Sequence, residues 1–322
     1  MKKRGFIPEE IIFSATTSCN LHCPHCFIIR KNQKLDIPTS IKFLKNCATT
    51  PKSTIQRIGF SGGEPFLYFD FILALTKCAL ELDLLFDQII TNGDWWKSPD
   101  DLKNTLQTLY NAGYDGKIAL SWDSYHAQKT ERMEAFISAV QEIFGQDSIN
   151  IQAVEGRSLS PGRHSVASTP LTTGDTPVTP PDSSFPPKEF IKAHPEIPVY
   201  YIPRCYQSNQ KEAWQAKKWF KDDFCQGPGN LLFVHPDGNI APCCGFANEN
   251  PALFIGTIHD SFETIMQKAS TNPMIKICYQ EGLSHYRRHG LKKCLRSQGK
   301  KLPGTTGDIC TLCDFACKLS EI

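Results

Sequence analysis

The chain has 322 residues, 40 % of them hydrophobic, with a formal net charge of +2. That length buries a sizeable core in one large or two moderate domains, and the near-zero charge singles out neither an acidic nor a basic partner. No apolar run is long enough to span a bilayer, and the basic N-terminus, Met1–Glu10, lacks the apolar stretch of a secretory signal. A cytoplasmic location is therefore expected, where fourteen Cys read as metal ligands or buried small groups rather than disulfides.

Residues Glu10–Ser18 read as a first strand, followed at once by Cys19-Asn-Leu-His-Cys23-Pro-His-Cys26. A strand cannot bring its own residues 19, 23 and 26 together, but a loop curling off its end can. Three thiolates around one point make a soft site that suits an iron–sulfur cluster or zinc. Both normally take four ligands, and the next Cys, Cys47, falls in a helical pattern at Ile41–Cys47. One position is thus left for something other than protein.

The second strand, Ile55–Ser61, runs into Ser61-Gly62-Gly63-Glu64-Pro65. Adjacent glycines let backbone approach a ligand closely, and a Glu beside them can accept a hydrogen bond from an ammonium group. A helix at Phe69–Leu82 leads to a third strand, Phe86–Ile90, closed by Thr91-Asn92-Gly93. The helix Leu102–Ala112 stops at Gly113, the fourth strand Ile118–Trp122 ends in Ser121-Trp122-Asp123, and helix Glu131–Phe144 precedes a fifth strand, Ile149–Val154. Strands alternating with helices imply β/α units and a parallel sheet. No strand–GxGxxG–helix fingerprint supports a dinucleotide fold, and every motif lies at a strand's C-terminal end, where a β/α barrel keeps its chemistry. The expectation is α/β, a partial (β/α)6 TIM-like barrel in residues 1–207, followed by a small cysteine-rich domain, 208–322, with a β-hairpin and a helix.

Within the first part, 21 of the 32 residues from 156 to 187 are Gly, Pro, Ser or Thr, which predicts a flexible loop or lid. A short helix near Lys188–His194 and a sixth strand, Val199–Ile202, follow. The second part opens with a hairpin over Leu231–Cys244, turned at Pro236-Asp237-Gly238, then a helix over Phe262–Gln280. His285–Lys301 carries seven Lys or Arg and no acid; with Tyr286 its one aromatic residue it reads as a solvated face, not a nucleic-acid platform. Cys225-x12-Gly238-x4-Cys243 and Cys310-x2-Cys313 offer two thiol pairs. A hairpin can bring the first pair together and a loop can deliver the second to the same metal, structural zinc fitting that spacing as well as iron–sulfur does. Cys244, Cys294 and Cys317 are spare candidates and Cys205 is open. Cys47, Cys78 and Cys278, in helical patterns, read as packed thiols.

Cys-x3-Cys-x2-Cys after the first strand, with Gly-Gly-Glu-Pro after the second, resembles the signature of the radical S-adenosylmethionine (SAM) enzymes. The resemblance implies that Cys19, Cys23 and Cys26 hold three irons of a [4Fe–4S] cluster whose fourth iron is chelated by SAM. It further implies that Gly62, Gly63 and Glu64 meet the SAM amino group, with Asn92, Ser121 and Asp123 as further SAM contacts. His25 would lie beside the adenine rather than on iron, and Glu155 and Arg157 would serve the methionyl or substrate side. The C-terminal spacing resembles the SPASM/twitch extension. Since only Cys317 follows Cys313, the shorter twitch form is expected, with one auxiliary [4Fe–4S] cluster on Cys225, Cys243, Cys310 and Cys313. The spare thiols leave room for a second cluster, and zinc stays the alternative. The family's chemistry uses an external electron donor of flavodoxin or ferredoxin type to cleave SAM to methionine and a 5′-deoxyadenosyl radical, which takes a hydrogen from substrate. A peptide or protein is the expected substrate. Oxidation or rearrangement of a sugar or alcohol is the alternative, and a non-catalytic iron–sulfur or zinc protein a further one.

Overall fold

A computed structural model describes residues 5–155, 186–221, 224–225 and 229–320. Almost all of the expected loop at 156–187, with Arg157, lies outside these residues.

Short apolar runs buried on both faces build a parallel sheet, because helices cover it and each run needs no polar alternation. The strands are β1 (Glu10–Ser14), β2 (Arg57–Ser61), β3 (Leu85–Thr91), β4 (Lys117–Ser121), β5 (Ile149–Glu155) and β6 (Val199–Pro203). All pair in parallel, in chain order, as expected. Ile11, Phe13, Ile58, Ile89, Ile118, Leu120 and Ile151 are fully buried in it. Among the described residues five α-helices lie between them: α1 (Ile37–Thr49), α2 (Phe69–Glu81), α3 (Pro99–Asn111), α4 (Thr130–Phe144) and the short α5 (Lys188–Ala193) expected before β6. Asp36 and Ser98 cap α1 and α3 by accepting from the backbone N–H groups of Thr39 and Asp101, and a Pro opens each first turn. The buried stripe of α2, Phe71, Ile72, Leu75, Cys78 and Ala79, has the spacing of one helical face. Each fully buried large side chain there contributes about 1.5–3 kcal/mol.

On the other side of β1 the sheet continues. β7 (Gly229–Val234) pairs in parallel with β1, Glu10 opposite Leu231 and Phe13 opposite Val234. β8 (Asn239–Cys243) and β9 (Gly256–Thr257) then add antiparallel. The order is β6-β5-β4-β3-β2-β1-β7-β8-β9, so among the described residues β6 and β9 are the edge strands. Residues after 208 share one buried core with those before it.

Three elements differ from the sequence expectation. β1 stops at Ser14, since the chain turns away to pair Thr16 with Lys34. The helix expected over Phe262–Gln280 ends at Thr271, where Pro273 cannot donate and the Asn272 side chain instead accepts from Met274 and Ile275 to start a new turn. The segment carrying Cys310 and Cys313 is a helix, Ile309–Ser320, not a loop. This C-terminal helix is held to the β6 side: Thr311 donates to the Tyr206 carbonyl (3.1 Å), and Asp314 accepts from the Ser208 N–H (3.0 Å). The basic run is helical too, with Leu291 and Leu295 buried and Arg288, Lys292, Lys293 and Arg296 exposed. Among the described residues no helix is long and apolar enough to cross a membrane.

Candidate active site

The loop after β1 is pinched at its base. Leu35 donates to the Ala15 carbonyl (3.0 Å), and the Thr17 hydroxyl accepts from the N–H groups of Gln33 (2.9 Å) and Lys31 (3.3 Å). Within it Cys19, Cys23 and Cys26 are half-buried, Cys26 N–H donating to the Cys23 carbonyl. Burial, then its two neighbouring thiols, push the Cys23 thiol up to about 12. Thiolates gathered in one loop need positive charge beside them, which bound iron would supply. The donor set fits a cluster.

Gly62 and Gly63 do more than leave space for a ligand. Gly62 has φ +135°, and a Cβ there would stand 2.7 Å from the Thr16 carbonyl oxygen; one on Gly63 would overlap the Ser18 carbonyl. Without side chains the two residues dock on the base of the Cys loop, Gly63 donating to Thr16 O (2.7 Å) and Glu64 to Ser18 O (2.8 Å). The Glu64 carboxylate is fully buried and accepts from Phe66 N–H (3.1 Å), the Thr91 hydroxyl (2.8 Å) and Asn92 N–H (2.8 Å). Burial pushes it up to about 7, against the pull of those donors. It ties the end of β2 to the end of β3. Asn92 in turn donates through Nδ2 to Asn20 Oδ1 (2.9 Å) and towards Cys19 Sγ (3.6 Å).

At the end of β4, Asp123 is buried and accepts four hydrogen bonds. One carboxylate oxygen accepts from Tyr125 N–H (2.8 Å), His126 N–H (3.1 Å) and the His126 ring (2.8 Å), the other from Val154 N–H (2.9 Å). Burial raises its pKa, but the bonds from His126 and Val154 outweigh this and hold it below the ordinary carboxylate range. His25 packs between Tyr125 and His126, ring centroids 5.1 and 4.7 Å away. Burial first, then His126, lower it to about 4, so it is neutral at pH 7, and its Nδ1 is buried without a hydrogen-bond partner. Ser121 is half-buried, its carbonyl accepting from Gln128, which also donates to the Asn92 carbonyl. Glu155 ends β5.

Tyr125, His126, Gln128 and Arg204, the last over the Tyr125 ring at 5.0 Å, were not singled out in the sequence. For the first three the signal was their place just after a strand-end Asp. Arg204 had no more than its position after β6.

The second thiol group lies in an apolar cavity lined by Cys225, Cys243, Cys310 and Cys313, the four expected, and also by Cys278. Cys278 is therefore not a packed thiol like Cys47 and Cys78; its Sγ is 3.7 Å from Cys313 Sγ. The β7–β8 ladder sets Gly229 opposite Cys243, and a Cβ at Gly229 would stand 2.9 Å from Cys225 Sγ, so that glycine makes room for the sulfur. Cys310, Cys313 and Cys317 follow one face of the C-terminal helix at three- and four-residue steps. Burial pushes Cys225 up to about 12 and raises Cys243 and Cys310. Cys205 packs against Phe246 and Cys310, Cys317 is fully buried, and Cys244 feels the carboxylates of Glu10 and Asp87. Cys294 sits apart on the basic helix.

A family model described as a 4Fe-4S single cluster domain matches residues 11–139. The putative peptide biosynthesis protein YydG of Bacillus subtilis (strain 168) is 23 % identical over 321 residues, covering 95 % of this chain and 91 % of that protein. The GTP 3',8-cyclase of Chlorobaculum tepidum is 25 % identical over 159 residues, 46 % of this chain and 44 % of its own. A solved structure, native anSMEcpe with bound AdoMet and Cp18Cys peptide, aligns over 98 % of both chains at 14 % identity, with a TM-score of 0.46. The residues matched by the 4Fe-4S cluster model contain the thiol loop on the first strand end, and the cysteine-lined cavity of the second half lies outside them.

Proposed function

We propose that this chain is a radical SAM enzyme with a SPASM/twitch-type second half, which takes a hydrogen atom from a peptide or protein substrate. In this reading residues 1–207 carry the SAM chemistry and residues 208–322 one auxiliary cluster. Cys19, Cys23 and Cys26 hold the [4Fe–4S] cluster, and Cys225, Cys243, Cys310 and Cys313 hold the auxiliary one. When bound and reduced by an external one-electron donor, the first cluster would supply the electron for reductive cleavage of SAM. The chain's own residues position and exclude. Gly62 and Gly63 fix the base of the Cys loop, Asn92 steadies Cys19, and Glu64 braces both from below. His25, Ser121 and Asp123 border the space for the nucleoside, with neutral His25 offering its unpartnered Nδ1.

The observation that carries the reading is the thiol loop itself: three sulfurs on the end of β1, no fourth within the loop, against the polar ends of β2, β3 and β4. A peptide substrate is favoured by the near full-length similarity to a protein named for peptide biosynthesis. A small-molecule substrate is the second reading, favoured by the similarity over 46 % of the chain to a GTP cyclase.

The test is anaerobic purification and reconstitution, with iron and sulfide counted and dithionite-dependent 5′-deoxyadenosine assayed. About eight irons per chain, two clusters of four, with deoxyadenosine is the expected result. About four irons with deoxyadenosine would hand the C-terminal thiols to zinc or to structure. A fully loaded protein that forms none would overturn the reading. Incubation with candidate peptides, followed by deuterium transfer into deoxyadenosine, then separates peptide from small-molecule substrates.

A further inference from the structure

A [4Fe–4S] cluster takes four protein thiolates, yet five Cys line the apolar cavity in the second half of the chain. Two of them, Cys225 and Cys243, are brought together by the β7–β8 ladder, and two more, Cys310 and Cys313, are one turn apart on the C-terminal helix. The fifth, Cys278, belongs to a single π-helical turn, Ile277–Glu281, the kind of irregularity found mostly at functional sites. That turn touches both pairs. The Cys278 carbonyl accepts from Cys225 N–H (3.0 Å), and its sulfur lies 3.7 Å from that of Cys313. Tyr279, next along the turn, donates to the Pro242 carbonyl (2.9 Å) beside Cys243.

We propose that Cys278 is a positioning and tuning residue of the auxiliary centre, donating its S–H to the Cys313 thiolate rather than binding iron. The inference rests on the auxiliary-cluster reading above. A thiol is a weak donor but a donor, and hydrogen bonds to cluster sulfurs stabilise the more negative, reduced state and so raise the reduction potential. The same separation has a rival meaning. Zinc–thiolate bonds of about 2.3 Å at tetrahedral angles put two sulfurs about 3.8 Å apart, so a zinc site would make Cys278 a ligand.

The experiment uses the full chain with Cys19, Cys23 and Cys26 changed to Ser, so that auxiliary iron alone is read. Iron, sulfide and zinc are counted after anaerobic reconstitution, and the reduction potential is followed by electron paramagnetic resonance. Cys278→Ala is expected to keep about four irons and to shift the reduction equilibrium about tenfold, which for one electron is about 59 mV, to more negative potential. Cys278→Ser, whose hydroxyl still donates, is expected to shift less. Loss of iron in Cys278→Ala would make it a ligand, and an unchanged potential would make it a packing residue; either overturns the proposal. A parent chain that takes up zinc or no metal would instead overturn the auxiliary-cluster reading beneath it.

Discussion

Asp123 and Glu64 are acids placed at a site where SAM is expected, and both already accept several hydrogen bonds from the protein. Asp123 accepts four hydrogen bonds from the loop after β4 and from Val154 on β5, and Glu64 accepts three across β2 and β3. A buried carboxylate so held is a brace, and its removal leaves donors without water or partner. Asp123→Asn keeps one acceptor oxygen but sets an NH2 group against Val154 N–H. It is expected to cost about 1–3 kcal/mol, seen as a lower midpoint in urea. An unchanged midpoint would mean that the Val154 bond contributes nothing. Spacing within one loop is legible in the sequence, so Cys19, Cys23 and Cys26 group by their positions alone. Cys278 was not legible in this way, because its apolar neighbours Ile275 and Ile277 give it the pattern of a core position and only the fold brings Cys313 to it.

At the scale of elements, the glycine pair works as a seat. The sequence suggested that its bare backbone admits a ligand, whereas the structure brings that backbone against residues 16–18. Gly63→Ala should push the Cys loop off its base. The expected result is loss of the iron held by residues 19–26 with retention of the C-terminal iron, distinguished by their paramagnetic signals; full retention of both would show that the seat is dispensable. At the opposite end of β1, burial first and then the Asp87 carboxylate push Glu10 up to about 7. Between the ordinary value of 4.5 and 7 the folded protein keeps a proton that the unfolded chain has released. The contribution is therefore full below the unfolded value and is lost as pH rises through 7. Glu10→Gln should raise the thermal midpoint by a few degrees at pH 8 and much less at pH 5. Equal effects at both pH values would remove Glu10 from the account.

For the whole molecule, the C-terminal helix reaches from residues after β6 to the thiols beside β7 and β8, linking the two flanks of an open sheet. The two groups of thiols nevertheless belong to different elements, so in the proposed reading their losses of iron should separate. Cys23→Ala is expected to abolish deoxyadenosine formation and keep the C-terminal iron. Cys313→Ala should lose that iron yet still cleave SAM; loss of both metals in either variant would show a single cooperative metal-bound fold. The alternating strand–helix pattern made the parallel sheet readable, since each unit is local in sequence. That β7 would extend it was not readable, because Leu231–Val234 has the same apolar character whether it joins β1 or a separate hairpin.

The pairing of β1 with β7 joins residues more than two hundred positions apart, in the middle of the sheet. While the chain is being synthesised, β1 can pair with β2 soon after it emerges, but its other edge waits for residue 234. Through most of translation that flank, with Ile11 and Phe13 beside it, is an unpaired apolar edge open to sticking to other nascent chains. Residues 1–207 expressed alone are expected to aggregate or to bind chaperones, and to become soluble when 208–322 is supplied in the same cell. A monodisperse, well-folded 1–207 would show that β1 needs no partner on that side.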